Sequence, residues 1–221
     1  MNVLIVAAHP DDEVLGCGGV TVRHVERGDR VYVVVVTRGF PEIFSPEIDE
    51  EDRQHAREAH EILGGAGIFF LDFPAPRLDT VPGHELADAL REVIFSVNAD
   101  VVYTPFGGDL HTDHKATYLA TLVASRPVNH CPVRRLLCYE TLSETDWASP
   151  LDDGAFKPTV FVDISNVLER KLQALACFRN ELKQPPHPRS LRAIEALARV
   201  RGSTAGLMAA EAFMLVREII D

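Results

Sequence analysis

Residues 9–13, with the sequence His-Pro-Asp-Asp-Glu, concentrate groups that can do chemistry near the start of the chain. They follow an apolar run at residues 3–6, which is typical of a buried strand. Carboxylates crowded beside an apolar strand are unfavourable unless a cation neutralises them. The stretch therefore predicts a bound cation where the first strand ends.

A second motif with metal-ligating side chains, His-x-Asp-His, occupies residues 111–114 and follows another apolar run at residues 101–104. If the two strands are parallel, both motifs lie at the same edge of the sheet, where open α/β sheets bind ligands. His9, Asp12 and one of the two later histidines would then supply two imidazoles and one carboxylate. This donor set is common in catalytic zinc sites, which keep a fourth position for water.

The remaining polar residues of the two motifs have other roles available. Asp11 stands beside the ligands and could act as a general base toward a water activated by the metal. The histidine that does not bind metal could donate to an oxyanion or a leaving group, with Asp113 orienting it and raising its basicity. We interpret Glu13 as support for the first turn of the next helix, where negative charge is favoured. The motifs together predict metal-assisted hydrolysis.

The elements that must position these motifs alternate between strand and helix. Apolar runs predict strands at residues 3–6, 31–36, 68–71, 101–104, 135–139 and 160–163. Helical patterns are predicted at residues 20–27, 53–63, 85–97, 115–124, 167–178 and 190–200. We therefore predict an α/β fold with a Rossmann-like, mostly parallel doubly wound sheet, helices on both faces and a helical C-terminal portion. We interpret residues 1–221 as a single domain.

Three connecting stretches have less specific compositions. We interpret the glycine-rich residues 16–19 as a turn into the first helix rather than a dinucleotide loop, because acids instead of glycines follow the strand. Residues 41–52 are acidic, and we expect a solvated loop there. The proline-rich residues 184–189 leave two interpretations open: His187 and Arg189 line the pocket, or the loop is a rigid connection without a catalytic role.

Bulk composition limits the classes of partner. The net charge of −11 argues against general binding to nucleic acid or to anionic membranes. No apolar stretch approaches the roughly 20 residues of a transmembrane helix, and no signal peptide is recognisable, so we expect no membrane insertion. The four cysteines lack the spacing of a disulfide framework or a zinc site. Such usage is typical of reduced thiols in a cytoplasmic protein.

The sequence Ala-His-Pro-Asp-Asp-Glu after the first strand, paired with His-x-Asp-His after a later one, resembles the LmbE/PIG-L family of metal-dependent N-deacetylases. Further matching positions are Arg53, Ala59, residues 62–64, Pro105, and residues 108–109, 201–202 and 210–213. Members of the family deacetylate N-acetylglucosamine on lipid and thiol-pathway precursors and on antibiotic intermediates. The resemblance thus implies a small-molecule amino-sugar conjugate as substrate, and it suggests a homo-oligomer.

The resemblance also implies a role for each site residue. It places Zn²⁺ on His9, Asp12 and His114, although two histidines and one carboxylate accept Fe²⁺ as well.

It further implies Asp11 as general base, and His111 as acid or oxyanion stabiliser held by Asp113. The arginine that binds substrate hydroxyls in the family matches Arg53 best, with Arg57 as a rival on the same helical face.

The chain departs from the family pattern at two positions. His55 stands where an acid is usual, and Asp109 replaces a tyrosine that some thiol-pathway deacetylases carry. The second departure argues against transferring those enzymes' substrate or their tyrosine-assisted mechanism. Two alternatives stay open: hydrolysis of another amide, as in a thiol conjugate or an antibiotic intermediate, and a non-catalytic metal-binding domain.

Overall fold

A computed structural model describes residues 1–149 and 154–220 of the protein. The strands are β1 (Asn2–Ala7), β2 (Arg30–Gly39), β3 (Gly67–Ala75), β4 (Val101–Pro105), β5 (Arg135–Tyr139), β6 (Val160–Asp163) and β7 (Ala210–Glu218). The helices are α1 (Asp12–Glu26), α2 (Pro46–Leu63), α3 (Gly83–Val97), α4 (Thr112–Ala124), α5 (Leu168–Leu175) and α6 (Leu191–Thr204), with a short 3₁₀ helix at Leu78–Thr80. Residues 150–153 and 221, which belong to the predicted domain 1–221, lie outside the described residues.

One mixed sheet, with strand order β3-β2-β1-β4-β5-β7-β6, joins the strands of the described residues. β1 to β5 pair in parallel, and β7 runs antiparallel to both β5 and β6. The predicted α/β, mostly parallel sheet is therefore confirmed. None of the helices in these residues combines the length and the apolar character needed to cross a membrane.

Both faces of β1 are buried, which explains its uninterrupted apolar sequence. Leu4 and Val6 pack with apolar residues of α3 and α4, such as Leu90. Val3 and Ile5 pack on the opposite face with residues of α1. Strands covered on both faces are expected to be continuously apolar rather than alternating.

The strand order places the two motifs at the same point of the sheet. β1 pairs with β2 on one side and with β4 on the other. The chain first winds outward from β1 to β3 and then returns to β4, so the crevice between the carboxyl ends of β1 and β4 is a topological switch point. Residues 9–13 and 111–114 lie where the chain passes from these two strand ends into α1 and α4.

The C-terminal portion is less helical than predicted, because residues 210–218 form β7. Its sequence begins Ala-Glu-Ala-Phe-Met-Leu, which contains good helix formers, so local propensity favours a helix. Burial overrides that propensity: Phe213 is fully buried and lies with its ring centroid 5.0 Å from that of Tyr103. The prediction of a helical C-terminal portion is therefore wrong for residues 210–218.

The glycine run at residues 16–19 was also misinterpreted, since it lies inside α1 rather than in a turn. These glycines allow neighbouring elements to approach the helix closely. A Cβ on Gly16 would overlap the ring of Tyr139, and a Cβ on Gly19 would lie 2.6 Å from Ile164 Cγ2. Tertiary packing thus explains the composition that suggested a turn.

Seven of the twelve residues in the acidic segment 41–52, expected to be a loop, belong to α2. Ser45 caps this helix, because its Oγ accepts a hydrogen bond from Ile48 N at 3.4 Å. Pro46 follows in the first turn, as is common for a helix start. The acids of this turn complement the positive end of the helix dipole, so the segment is charged and helical at once.

Candidate active site

The turn after β1 holds its polar residues in a non-helical conformation until α1 begins. Asp11 is the N-cap residue and has a φ of 106°, which is uncommon for a residue with a side chain. Two backbone contacts fix the turn: His9 N donates to Asp12 Oδ2 at 2.9 Å, and Asp11 N donates to Glu13 Oε2 at 3.0 Å. Glu13 therefore supports the turn, in agreement with its interpretation as a supporting residue.

The three predicted ligands, His9, Asp12 and His114, meet at the switch point. Asp12 Oδ2 lies 3.5 Å from His9 Nδ1 and 3.2 Å from His114 Nε2. One donor atom from each residue can be chosen so that all lie within 4.8 Å of one another.

Two atoms of this cluster, Asp12 Oδ1 and His114 Nε2, are buried without a hydrogen-bond partner. Buried polar atoms are rarely left unsatisfied, so these two atoms are available to a ligand. Two imidazoles and a carboxylate are donors that suit a divalent metal. The residues present therefore fit the metal that the sequence predicts.

Each histidine of this cluster also contacts a fully buried carboxylate. His9 Nε2 lies 3.1 Å from Asp113 Oδ2, and His114 Nδ1 lies 2.8 Å from Asp109 Oδ2. Carboxylates in this position orient metal-binding imidazoles and increase their basicity. Thr145 Oγ1 in turn donates to Asp109 Oδ1 at 2.5 Å.

These carboxylates give the cluster a strong preference for positive charge. Burial lowers the pKa of His114, but Asp12 and Asp109 outweigh burial and raise this pKa to about 10. The pKa of Asp12, which burial raises, is held well below its ordinary value by His114 and His9. A site that stabilises an imidazolium in this way also favours a bound metal cation.

The role of Asp109 was missed in the sequence, where this residue was noted as a position matching the family and as the replacement of a tyrosine. The signal that could have found it is an acid five residues before a histidine, across the turn into α4. The structure shows that Asp109 is directed at His114 because the loop folds back on the start of that helix.

His111 stands beside the cluster and lines the neighbouring cavity. Its ring centroid lies 4.5 Å from that of His9, and its Nδ1 accepts a hydrogen bond from Asp113 N at 3.1 Å. The Asp113 carboxylate contacts His9 rather than His111, in contrast to the role inferred from the sequence. Burial and the neighbouring His9 and His114 lower the pKa of His111 to about 4. The lowered pKa favours the neutral imidazole, and in that form the hydrogen bond from Asp113 N to Nδ1 leaves the proton on Nε2.

A cavity of about 280 Å³ opens next to the metal-ligand cluster. Its wall includes His9, Pro10, Asp11, Thr37, Gly39, Phe44, Ile48, Asp49, Asp52, Ala75, Pro76, His111, Glu144, Glu181 and Arg189. Asp11 is almost fully buried, and burial raises its pKa to about 7 although the Arg189 guanidinium acts in the opposite direction. The cavity is therefore lined by a carboxyl group that can exchange a proton near neutral pH.

The helix arginines proposed to bind substrate do not line this cavity. Arg53 forms ion pairs with Asp72 and Asp49, and its guanidinium lies 4.8 Å from the ring centroid of Phe70. Arg57 lies over the same ring, at 5.1 Å. The substrate role of Arg53 stays a prediction.

Arg189 is the arginine that reaches the cavity. Of the two interpretations left open for residues 184–189, the pocket-lining position therefore holds for Arg189. His187 is not part of the cavity wall and packs against Trp147, with a centroid distance of 5.5 Å.

The fold and the site define an α/β protein with a candidate metal centre at the switch point of its sheet. The PIG-L family, described as GlcNAc-PI de-N-acetylase, matches residues 4–125. The chain belongs to this family, which confirms the resemblance seen in the sequence. Deacetylases are among the proteins similar to this chain.

Similar proteins agree with this assignment. The chain is 33% identical over 168 residues to an Escherichia coli (strain K12) protein described as the uncharacterized deacetylase YaiS, covering 74% of this chain and 82% of that protein. It is 31% identical over 159 residues to the 1D-myo-inositol 2-acetamido-2-deoxy-alpha-D-glucopyranoside deacetylase of Kineococcus radiotolerans, covering 56% of this chain and 44% of that protein. The chain thus spans less than half the length of the second relative.

The crystal structure of the conserved protein TT1542 from Thermus thermophilus superposes with a TM-score of 0.80 at 28% identity. The superposition covers 99% of this chain and 96% of TT1542. The fold of the family therefore extends over nearly the whole chain.

Proposed function

We propose that this protein is a metal-dependent hydrolase that removes the N-acetyl group from an N-acetylglucosamine-type amino-sugar conjugate. The observation that carries the proposal is the convergence of His9, Asp12 and His114 beside a cavity that Asp11 lines. The amino sugar is supported by the description of the family and by the name of the Kineococcus relative. The cavity lies near the small end of ligand pockets, which suits a small-molecule substrate.

We propose His9, Asp12 and His114 as ligands of Zn²⁺, with Fe²⁺ suited to the same donors. When bound, such an ion supplies Lewis-acid polarisation of the acetamide carbonyl and a water of lowered pKa. Asp113 and Asp109 would hold the two imidazoles in the orientation that metal binding requires.

Asp11 is the proposed general base. It would take a proton from the water that attacks the acetamide carbonyl carbon, and it would return this proton to the amine as the C–N bond breaks. A base works best when its pKa lies near the working pH, and burial raises the pKa of Asp11 to about 7. Acetate and the free amino sugar are then the products.

His111 is the proposed oxyanion stabiliser. Its Nδ1 is occupied by Asp113 N at 3.1 Å, so the ring can present its Nε2–H to the cavity that it lines. Because the pKa of His111 is about 4, we propose a neutral hydrogen-bond donor rather than an imidazolium. Asp113 thus contributes twice, through its carboxylate to His9 and through its backbone N–H to His111.

The proposal is tested by measuring acetate release from a panel of amides. The protein would be loaded with Zn²⁺ or Fe²⁺ and given N-acetylglucosamine glycosides, N-acetylated amino acids and amides of thiol conjugates. We expect release from the amino-sugar compounds, loss of release with a chelator and recovery on adding metal. Hydrolysis confined to another amide would instead favour the alternative substrates. Absence of hydrolysis throughout, with metal bound, would favour a non-catalytic domain.

The Asp11→Asn variant tests the base directly. We expect it to retain metal and to lose at least about 100-fold in kcat, the scale of a general base. Elemental analysis and steady-state kinetics check the two expectations. As a matched control, Asp12→Asn should lose metal as well as activity. Unchanged kcat in Asp11→Asn would remove Asp11 from the mechanism.

A cytoplasmic location, a homo-oligomeric state and a single domain over residues 1–221 stay predictions.

A further inference from the structure

A partly buried arginine from a distant part of the chain contacts the proposed general base. Arg189 Nη1 donates to Asp11 Oδ2 at 3.0 Å, across 178 residues of sequence. The Arg189 side chain is only 16% exposed. Among the described residues that line the cavity, it is the only arginine or lysine.

Three further acceptors hold the guanidinium of Arg189. Its Nε donates to Ser143 Oγ at 2.8 Å, and its Nη1 also donates to Glu181 Oε2 at 2.9 Å. Its Nη2 lies 3.5 Å from Glu144 Oε1. The guanidinium therefore joins the turn after β1 to the segments that follow β5 and α5, and its orientation is defined from three sides.

The backbone of Arg189 is held as firmly as its side chain. Arg189 N donates to His187 Nδ1 at 3.0 Å, and Arg189 O accepts from Lys183 N at 3.2 Å. The next residue, Ser190, caps α6 through a hydrogen bond from Ala193 N at 3.3 Å. Arg189 thus projects from a fixed loop at the start of a helix.

The carboxyl group of Asp11 depends on this contact for its orientation. Asp11 is the N-cap residue of α1, but its side chain makes no capping hydrogen bond. The neighbouring Glu13 holds the backbone N–H of Asp11 and not its carboxyl group.

We propose that Arg189 is a positioning residue for Asp11. It holds Asp11 Oδ2 and leaves Oδ1 to accept the proton of the attacking water. The guanidinium also compensates the carboxylates of Glu144 and Glu181 beside the base. This inference rests on the proposed function, because it assigns Arg189 to the base of that reaction.

The Arg189→Met variant tests the assignment, with Arg201→Met as a matched control. Arg201 is 24% exposed and forms a bidentate pair with Glu140 outside the cavity wall. Misplacing a catalytic group by about 1 Å can lower the rate about 100-fold, so we expect a loss of that order in kcat with little change in KM. Metal content should stay unchanged, and Arg201→Met should keep its kcat. Arg189→Lys should recover only part of the loss, because an ammonium group lacks the planar fork.

A double-mutant cycle with Asp11 separates positioning from other roles. In an Asp11→Asn background, Arg189→Met should lower kcat by less than about threefold, because residues that act as a unit are not additive. The same loss in both backgrounds would overturn the proposal. So would a loss expressed in KM alone, which would assign Arg189 to substrate binding.

A second cycle needs no activity. In thermal unfolding of the metal-free protein, the lowering of Tm in the Asp11→Asn/Arg189→Met variant should be smaller than the sum of the single-variant shifts. If the wild type releases acetate but the two single-variant Tm shifts simply add, the positioning role of Arg189 is contradicted and the proposed function is not. Absence of acetate release from the wild type would contradict the proposed function, while coupled unfolding would still support the contact.

Discussion

Helix α1 carries one buried ionic cluster at its start and another near its middle, and the two differ in how completely their atoms are paired. In the cluster near the middle of α1, Lys171 Nζ donates to Leu15 O and to Glu211 Oε1, both at 2.7 Å. The Glu211 carboxylate also accepts from Gly19 N at 2.8 Å and from Val20 N at 2.7 Å. This Lys171–Glu211 pair satisfies its charges within the protein and ties α5 and β7 to α1.

The cluster at the start of α1 is left incomplete. Asp12 Oδ1, Glu13 Oε1 and His114 Nε2 are buried and have no hydrogen-bond partner. Both clusters bury carboxylates, so burial of charge alone does not distinguish structure from function. The distinguishing feature is that Asp12 and His114, which carry two of these unpaired atoms, converge with His9 on one point. That arrangement is unfavourable until a ligand binds.

The largest expected effect comes from removing a ligand of the incomplete cluster. His114→Ala should lose the bound metal and at least about 1,000-fold of the activity, because a metal supplies several kcal/mol of transition-state stabilisation. Elemental analysis and acetate release measure the two losses. His60→Gln is a control at another buried histidine, whose Nε2 accepts from Gly67 N at 3.1 Å, and it should keep the metal. If His114→Ala keeps its full metal content, the incomplete cluster is not the metal site, and the proposed difference between the two clusters is wrong.

The complete cluster should respond in stability instead of activity. Lys171→Met leaves the Glu211 charge buried without its cationic partner, which destabilises a protein by about 3 kcal/mol or more. Denaturant unfolding measures this loss, and metal content and kcat should be unchanged. Lys171→Met/Glu211→Gln should recover part of the stability, because an amide oxygen still accepts from Gly19 N. A variant that unfolds normally yet loses metal would show that the two clusters act together.

The smallest expected effect comes from changing Asp109, whose carboxylate contacts the proposed metal ligand His114. Asp109→Asn should weaken metal binding by about 10- to 100-fold, since an amide orients the His114 imidazole less strongly. Competition with a chelating dye measures the affinity. Asp29→Asn is a matched control, because Asp29 Oδ2 lies 2.7 Å from His24 Nδ1 and neither residue is part of the cavity wall. Equal affinities in both variants and the wild type would mean that Asp109 has no part in metal binding.

The family and the fold class were predictable because their signals are local. A continuously apolar run such as residues 3–6 shows burial on both faces, and the acids that follow it require a cation. The parallel arrangement followed from the alternation of strands and helices, and the structure confirms it.

Features that depend on partners distant in sequence could not be predicted. The glycines at residues 16–19 resemble a turn until Tyr139 and Ile164 are seen against them. β7 resembles a helix until Phe213 is seen in the core. In each case tertiary packing overrides a local preference worth less than about 1 kcal/mol per residue.

By itself, the sequence determined which residues stand at the carboxyl ends of β1 and β4, because hydrophobic periodicity and motif spacing are written along the chain. Only the tertiary structure decided what those residues touch: Asp113 on His9, Asp109 on His114, and Arg189 on Asp11. The physical reason is that a hydrogen bond needs its atoms placed within about 3 Å. Strand order and loop packing set that placement between residues far apart in the chain.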